Sequence, residues 1–200
     1  MKINLIESFC NQFIGFVRVE VEDGSFGWGQ LSTYNTDITQ QILHRQVAPW
    51  VIGRDVSTPA MLGDTLDLVT EKEHKFPGSY LRRAMAGVDT AVLDLYGRQQ
   101  DKPVAVLLGG SAGKVRAYAS SMKRDITPQD EAMRMCALRD KYGFDAFKVR
   151  AGAEVGRNQD EWPGRTERII STMRRAMGDK ASLLIDAKSC YTPERAIEVG

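Results

Sequence analysis

Ala146-Phe147-Lys148-Val149-Arg150 alternates apolar and charged side chains, so an extended backbone puts Phe147 and Val149 on one side and Lys148 and Arg150 on the other. Both flanks read as helix. Upstream, Thr127-Pro128 opens a helix running to Tyr142, with Gly143 as its stop. Downstream, Glu161 to Met177 is helical and closed by Gly178. Next comes Ser182-Leu183-Leu184-Ile185-Asp186-Ala187, an apolar strand, and Thr192-Pro193-Glu194 begins another helix with a capping threonine, a first-turn proline and an early acid. Lys114 to Ser121 reads as a strand ahead of all these. The order β-α-β-α-β-α between Lys114 and Gly200 is the pattern of a parallel sheet covered by helices.

The grammar differs before Gly109-Gly110-Ser111-Ala112-Gly113. Met1 to Ser8 and Phe16 to Glu22 read as strands, the second in strict alternation. Asp23-Gly24 supplies a turn, and Phe26-Gly27-Trp28-Gly29-Gln30 continues as a third strand. Phe9 to Ile14 is expected as a loop longer than a tight turn. Helical periodicity follows from Asp37 to Val51, with Ile38, Ile42, Leu43, Val47 and Trp50 near one face. A second helix starts after Ser57-Thr58-Pro59, and a third, Leu81 to Gln99, carries Ala84, Met85, Val88, Ala91, Val92 and Leu95 on its apolar side. Strands first and helices after define an α+β unit over residues 1–113, with the βα units over 114–200.

Charge and composition narrow the function classes. Among 200 residues, 27 basic and 26 acidic side chains leave a net charge of +1, without the basic excess of a nucleic-acid binder. No apolar run approaches the roughly 18 residues of a membrane span, and Glu7 falls where a signal peptide would build its apolar core, so we expect a cytoplasmic protein. Cys10, Cys136 and Cys190 lack CxxC spacing, which argues against a disulfide framework or a structural zinc site. A closed barrel takes roughly 250 residues, far more than Lys114 to Gly200 provides. Three parallel strands with open edges make a poor independent domain, so we expect this sequence to be about half of a longer protein.

Lys148 and Arg150 lie at the end of one strand, Asp186 and Lys188 at the end of the next. The i, i+2 spacing places each pair on one side, at the strand ends where α/β active sites form. A single Lys148–Asp186 or Arg150–Asp186 contact could be a structural ion pair. Two charged pairs at the same end favour a site instead, since burying several charges is costly unless they are paired or hold an ion. Three cations around one carboxylate suit an anionic substrate and one metal ligand, with further oxygen ligands needed from elsewhere.

In its opening hairpin with Gly27-Trp28-Gly29-Gln30, the run Arg83-Ala84-Met85-Ala86-Gly87-Val88-Asp89-Thr90-Ala91-Val92-Leu93-Asp94-Leu95, Pro103 to Gly110, Lys148-x-Arg150 and Ile185-Asp186-Ala187, the chain resembles the N-terminal half of the enolase superfamily, in the mandelate racemase and acid-sugar dehydratase branch. The resemblance implies an α+β capping domain followed by the first three βα units of a (β/α)7β TIM-type barrel, a Mg2+ cofactor, and abstraction of the proton alpha to a carboxylate. It further implies that Asp186 is the first of three Mg2+ ligands, the other two lying beyond Gly200. Lys148 matches the first residue of the family's Lys-x-Lys motif, where it neutralises the substrate carboxylate. Arg150 matches the second, often the base. A guanidinium is a poor base and a better carboxylate clamp, which leaves a later His paired with Asp, or Lys148 with a lowered pKa, as the base. Lys188 stands where Asn is common; it either contacts a substrate oxygen or weakens the metal site by repulsion.

The implied reaction is dehydration of an acid sugar, an aldarate or aldonate with a galactarate-like diacid as first expectation. Mg2+ and cationic side chains stabilise the enediolate formed by proton abstraction, and loss of the beta hydroxyl gives a 2-keto-3-deoxy product. Racemisation, epimerisation, cycloisomerisation and a non-catalytic homologue are the rivals. Phe9 to Ile14 and Lys72 to Arg83 are expected over the barrel mouth, with His74, Lys75 and Arg82 joining Lys188 as substrate-binding candidates; the plainer alternative is a solvated loop and helix start. Expected partners are a small-molecule acid sugar and further copies of the chain in a homo-oligomer, with no nucleic acid and no membrane.

Overall fold

The computed structural model describes residues 1–200. They form two compact units, Met1–Gly113 and Lys114–Gly200, and no helix is long and apolar enough to cross a membrane.

The first unit begins with an antiparallel sheet in the order β1 (Ile3–Cys10), β2 (Gly15–Val21), β3 (Phe26–Leu31). Ile3, Ile6, Val17, Val19, Val21 and Leu31 are buried, and the alternate residues Phe16 and Trp28 face outward. Arg18, on that outer face, pairs with Glu7 at 2.6 Å and Glu20 at 2.5 Å. The loop expected over Phe9 to Ile14 is shorter: Phe9 is inside β1, opposite Phe16. Closure in so few residues is possible because the Asn11 carboxamide oxygen accepts from the Phe13 and Ile14 amides at 2.8 and 3.0 Å, replacing a backbone turn.

Helix α1 (Thr36–Ile42) passes through a π-helical turn, Leu43–Val47, into α2 (Ala48–Val51). The wider turn keeps residues four apart in line, so Thr39, Leu43, Val47 and Val51 are buried. Within α1 the buried face is that of Thr36 and Thr39, so Ile38 lies off it and is 45% exposed, against expectation. Thr58 caps α3 (Pro59–Lys72), accepting from the Met61 amide. The long helix α4 (Ser79–Gln100) lies on the sheet through Ala84, Val88, Ala91 and Val92. Contact is close enough that a Cβ on Gly27 would sit 2.0 Å from the Ala91 carbonyl oxygen, and one on Gly29 2.0 Å from that of Gly87. A short α5 (Val104–Leu107) ends the unit's elements.

The second unit holds a parallel sheet in the order β4 (Ala119–Ser120), β5 (Ala146–Arg150), β6 (Ser182–Asp186). β4 is much shorter than the Lys114 to Ser121 expected, and Val115 is 90% exposed: alternation alone does not make a strand where no neighbour pairs with it. Between the strands run α6 (Pro128–Tyr142), capped by Thr127 and stopped by Gly143 in left-handed geometry, and α7 (Arg165–Met177), stopped by Gly178. α7 starts later than Glu161, because Pro163 disfavours helical backbone at Trp162 and Gly164 has φ 73°. α8 (Pro193–Val199) is capped by Thr192. Phe147 and Val149 pack with Met135, Ile169 and Met173 in this unit's core, so the opposite side of β5 is left for Lys148 and Arg150.

Candidate active site

The parallel register sets Arg150 directly beside Asp186, with Lys148 beside Leu184. Lys148 Nζ donates to Asp186 Oδ2 at 2.9 Å, and Arg150 donates to the same oxygen at 2.5 Å. Asp186 Oδ1 accepts the Lys188 amide at 3.0 Å. The Lys148 hydrogen bond foremost, with the charge of Arg150, holds the Asp186 carboxyl below the usual carboxylate range. Arg150 is 5% exposed and carries a second terminal nitrogen 3.1 Å from Met122 Sδ, while its Nε is buried without a partner. The Lys148 ammonium also lies 5.7 Å from the Tyr118 ring centroid. Two cations therefore converge on one carboxylate at the C-terminal edge of the sheet, able to accept an anion's charge if Asp186 is drawn to another cation.

Lys188 departs from the expected i, i+2 placement. The strand ends at Asp186, and Lys188 and Ser189 take left-handed backbone at φ 48° and 60°. That turn aims the Lys188 amide at Asp186, while its exposed side chain forms no ion pair. His74, Lys75 and Arg82 belong to the first unit and do not form one cluster there. His74 Nδ1 is 2.8 Å from the Glu71 carbonyl oxygen at the end of α3. Lys75 lines a cleft of about 440 Å³ with Gln46, Phe76 and Tyr80. Arg82 is exposed in the first turn of α4.

Metal chemistry can be tested on the donor set. No group of three or more His, Cys, Asp and Glu side chains converges in these residues. Asp186 is the carboxylate that Lys148 and Arg150 engage, and only its Oδ1 is free of side-chain cations. It suits one ligand position of a hard divalent cation, which binds through oxygen, but residues 1–200 do not complete such a site.

Residues 5–109 match the family model of the mandelate racemase / muconate lactonizing enzyme N-terminal domain, and residues 130–200 match the enolase C-terminal domain-like model. The chain belongs to the mandelate racemase / muconate lactonizing enzyme family. In this family's terms, the first unit is the N-terminal capping domain and the second the start of the barrel domain. The chain is 31% identical over 194 residues to an arabinonate dehydratase of Saccharolobus solfataricus, and 30% identical over 191 residues to a D-galactarolactone cycloisomerase of Agrobacterium fabrum. Each alignment covers 92% of this chain but only 47% and 46% of the relative, so the chain spans about half the length of the curated relatives it matches. A solved protein of Roseobacter denitrificans with an inferred racemase assignment is 69% identical, with a TM-score of 0.95 over 100% of this chain and 54% of its own. A mandelate racemase/muconate lactonizing protein of Paracoccus denitrificans, solved in complex with magnesium, is 25% identical with a TM-score of 0.86, over 99% and 54%.

Sequence reasoning passed over Arg124 and Arg165. Both donate to backbone carbonyls around the end of β5, Arg124 to Gly152 and Arg165 to Arg150. Nothing in their sequence spacing marks them, since each acts across a loop.

Proposed function

We propose that this chain contributes the capping domain and the first barrel strands of a Mg2+-dependent acid-sugar dehydratase. The observation that carries the reading is the convergence of Lys148 and Arg150 on Asp186 at the C-terminal edge of a parallel sheet. Abstracting a proton alpha to a carboxylate builds a second negative charge on the carboxylate oxygens. Cations fixed at those oxygens lower the barrier, because they bind the developing charge more strongly than the ground state.

In this reading Lys148 and Arg150 receive the substrate carboxylate. Arg150, nearly buried, offers a guanidinium fork, which is a clamp and not a base. Asp186 would be one ligand of Mg2+, which when bound supplies Lewis-acid charge at the same oxygens. The magnesium complex of the Paracoccus denitrificans relative supports that cofactor. The base and the remaining metal ligands lie outside these residues. The exposed Lys188 side chain is available to a substrate hydroxyl, and His74, Lys75 and Arg82 are offered as cap residues that read the distal end of the substrate. The arabinonate dehydratase and a D-galactonate dehydratase of Klebsiella pneumoniae, 30% identical over 142 residues, support dehydration of an acid sugar.

The Roseobacter denitrificans protein, with its much higher identity, favours a second reading in which the proton returns to the same carbon and no water is lost. Incubating the intact protein with Mg2+ and a panel of aldonates and aldarates in D2O separates the two. A 2-keto-3-deoxy product is expected. Deuterium at the alpha carbon without that product would establish racemisation instead, and neither change with any acid sugar would reject both.

A further inference from the structure

Arg165 is the first residue of α7 and is fully buried. It breaks two local rules, since helix N-termini favour anions over cations and a buried charge is costly without a partner of opposite sign. It forms no salt bridge. Arg165 donates instead to two carbonyl oxygens, those of Arg150 at 2.9 Å and Ile126 at 3.4 Å, and its guanidinium sits 5.1 Å from the Trp162 ring centroid. Its remaining terminal nitrogen is buried and unpartnered. Where a sequence violates local rules this strongly, a functional constraint is the usual cause.

The acceptors identify the constraint. Arg150 is the last residue of β5, and its carbonyl projects past the end of the strand toward α7. Two residues on, the Gly152 amide donates to the hydroxyl of Thr166, the neighbour of Arg165, at 3.1 Å, and the Gly152 carbonyl accepts from Arg124 at 3.2 Å. Thr166 is in turn held through its amide and hydroxyl by the Asp160 carboxylate. The first turn of α7 therefore grips Arg150-Ala151-Gly152 from both ends. Ile126, the second acceptor, precedes the Thr127 cap of α6, so one guanidinium joins the segments that follow β4 and β5.

The geometry points to Arg165 as a positioning residue: by fixing the Arg150 carbonyl it sets the direction in which the Arg150 side chain leaves β5 and reaches Asp186. This rests on the reading of Lys148, Arg150 and Asp186 as the active site, and adds a residue that touches none of the reacting atoms. A displaced clamp loses most where charge develops, so the transition state suffers more than the bound substrate.

The test uses the intact protein with its best acid sugar, comparing Arg165→Met and Arg165→Lys. Met removes both carbonyl contacts, whereas Lys keeps the charge but cannot bridge two carbonyls as a planar fork does. Expected are a kcat at least about tenfold lower in Arg165→Met and about fivefold lower in Arg165→Lys, with KM changed less than about threefold and the Arg165→Lys melting temperature close to the parent's. Parent-like kcat in a folded Arg165→Met overturns the proposal. Should that variant not fold, Arg165→Lys decides: kcat within about twofold of the parent overturns it. Should the parent turn over no acid sugar, the dehydratase reading fails while the positioning role is read from the Arg150 Nε–H resonance in 15N NMR. A resonance shifted and faster-exchanging in Arg165→Lys upholds the role, and an unchanged one overturns it.

Discussion

Arg150 shows how much depends on one side-chain shape. One terminal nitrogen donates to Asp186 while the other lies against Met122 Sδ, an arrangement that a planar fork satisfies and a single ammonium does not. Replacing Arg150 with Lys keeps the charge and loses the second direction, so kcat/KM in the intact protein is expected to fall on the order of tenfold or more; a parent-like value would remove the clamp role. Tyr96 makes a contrasting case in the capping domain. Its hydroxyl donates to the Val56 carbonyl in the core, and burial, aided by the nearby carboxylates of Asp55 and Asp89, pushes its pKa up to about 12. An unfolded tyrosine ionises near 10. Below that pH both states are protonated and the stabilisation is complete. As pH rises from about 10 towards about 12, the unfolded chain loses the proton that the folded one keeps, and stability drains at roughly 1.4 kcal/mol per pH unit. Tyr96→Phe should cost about 1–3 kcal/mol at pH 7 by leaving the Val56 carbonyl without its hydroxyl, and flatten that alkaline slope. Urea unfolding of both proteins at pH 8 and pH 11 measures the difference; equal slopes would assign the alkaline loss to other groups.

Among the elements, β3 and α4 are joined by absence of side chains. A methyl on Gly29 would meet the Gly87 carbonyl oxygen at 2.0 Å and the Ala91 amide at 2.9 Å, both backbone atoms that move only if the helix does. Gly29→Ala should destabilise the protein by about 1–3 kcal/mol or more, as overpacking does. Gly63, exposed in α3 with nothing within 4 Å of the place an added methyl would take, should behave oppositely: Gly63→Ala gains about 0.4–1 kcal/mol by restricting the unfolded chain. Denaturant midpoints of the two variants must move in opposite directions. Elements of this kind were readable where the cause is local. Thr58-Pro59, Thr127-Pro128 and Thr192-Pro193 mark three helix starts by capping chemistry, and the alternation of Val17, Val19 and Val21 marks β2. Reading failed where a neighbour decides. β4 shrinks to Ala119–Ser120 because pairing with β5 begins there, and Ile38 turns outward because Thr36 and Thr39 take the buried face of α1. At the candidate site, the contact of Lys148 and Arg150 with Asp186 was legible because strand periodicity and register bring them together. Lys188 was misplaced by its left-handed backbone, and Arg165 stayed invisible because its burial depends on loops that precede it by tens of residues in sequence.

At the scale of the whole chain, the capping unit encloses a core that runs from Ile3 to Tyr96, whereas the second unit leaves Leu184 and Ile185 of β6 at 42% and 38% exposure. That same open edge is where Asp186 sits. Its carboxylate has one oxygen engaged by Lys148 and Arg150 and the other by a backbone amide, and no group of three or more His, Cys, Asp and Glu side chains gathers around it. A magnesium ion approaching this segment would meet one acidic ligand and two fixed positive charges, a balance that favours leaving the ion in water. Residues 1–200 alone are therefore expected to bind Mg2+ no more tightly than about the millimolar range, the weak end for oxygen-ligand sites. If Asp186 is one ligand among several, the intact protein should bind the ion more tightly, and Asp186→Asn should reduce that affinity by at least about tenfold, or roughly 1.4 kcal/mol. Isothermal titration of the three proteins distinguishes the cases. Tight binding by residues 1–200 would mean that these residues gather oxygen donors around Asp186 on their own, and unchanged affinity in the intact Asp186→Asn protein would take Asp186 out of the ligand set, leaving Lys148, Arg150 and Asp186 as a structural ion-pair cluster at a strand end.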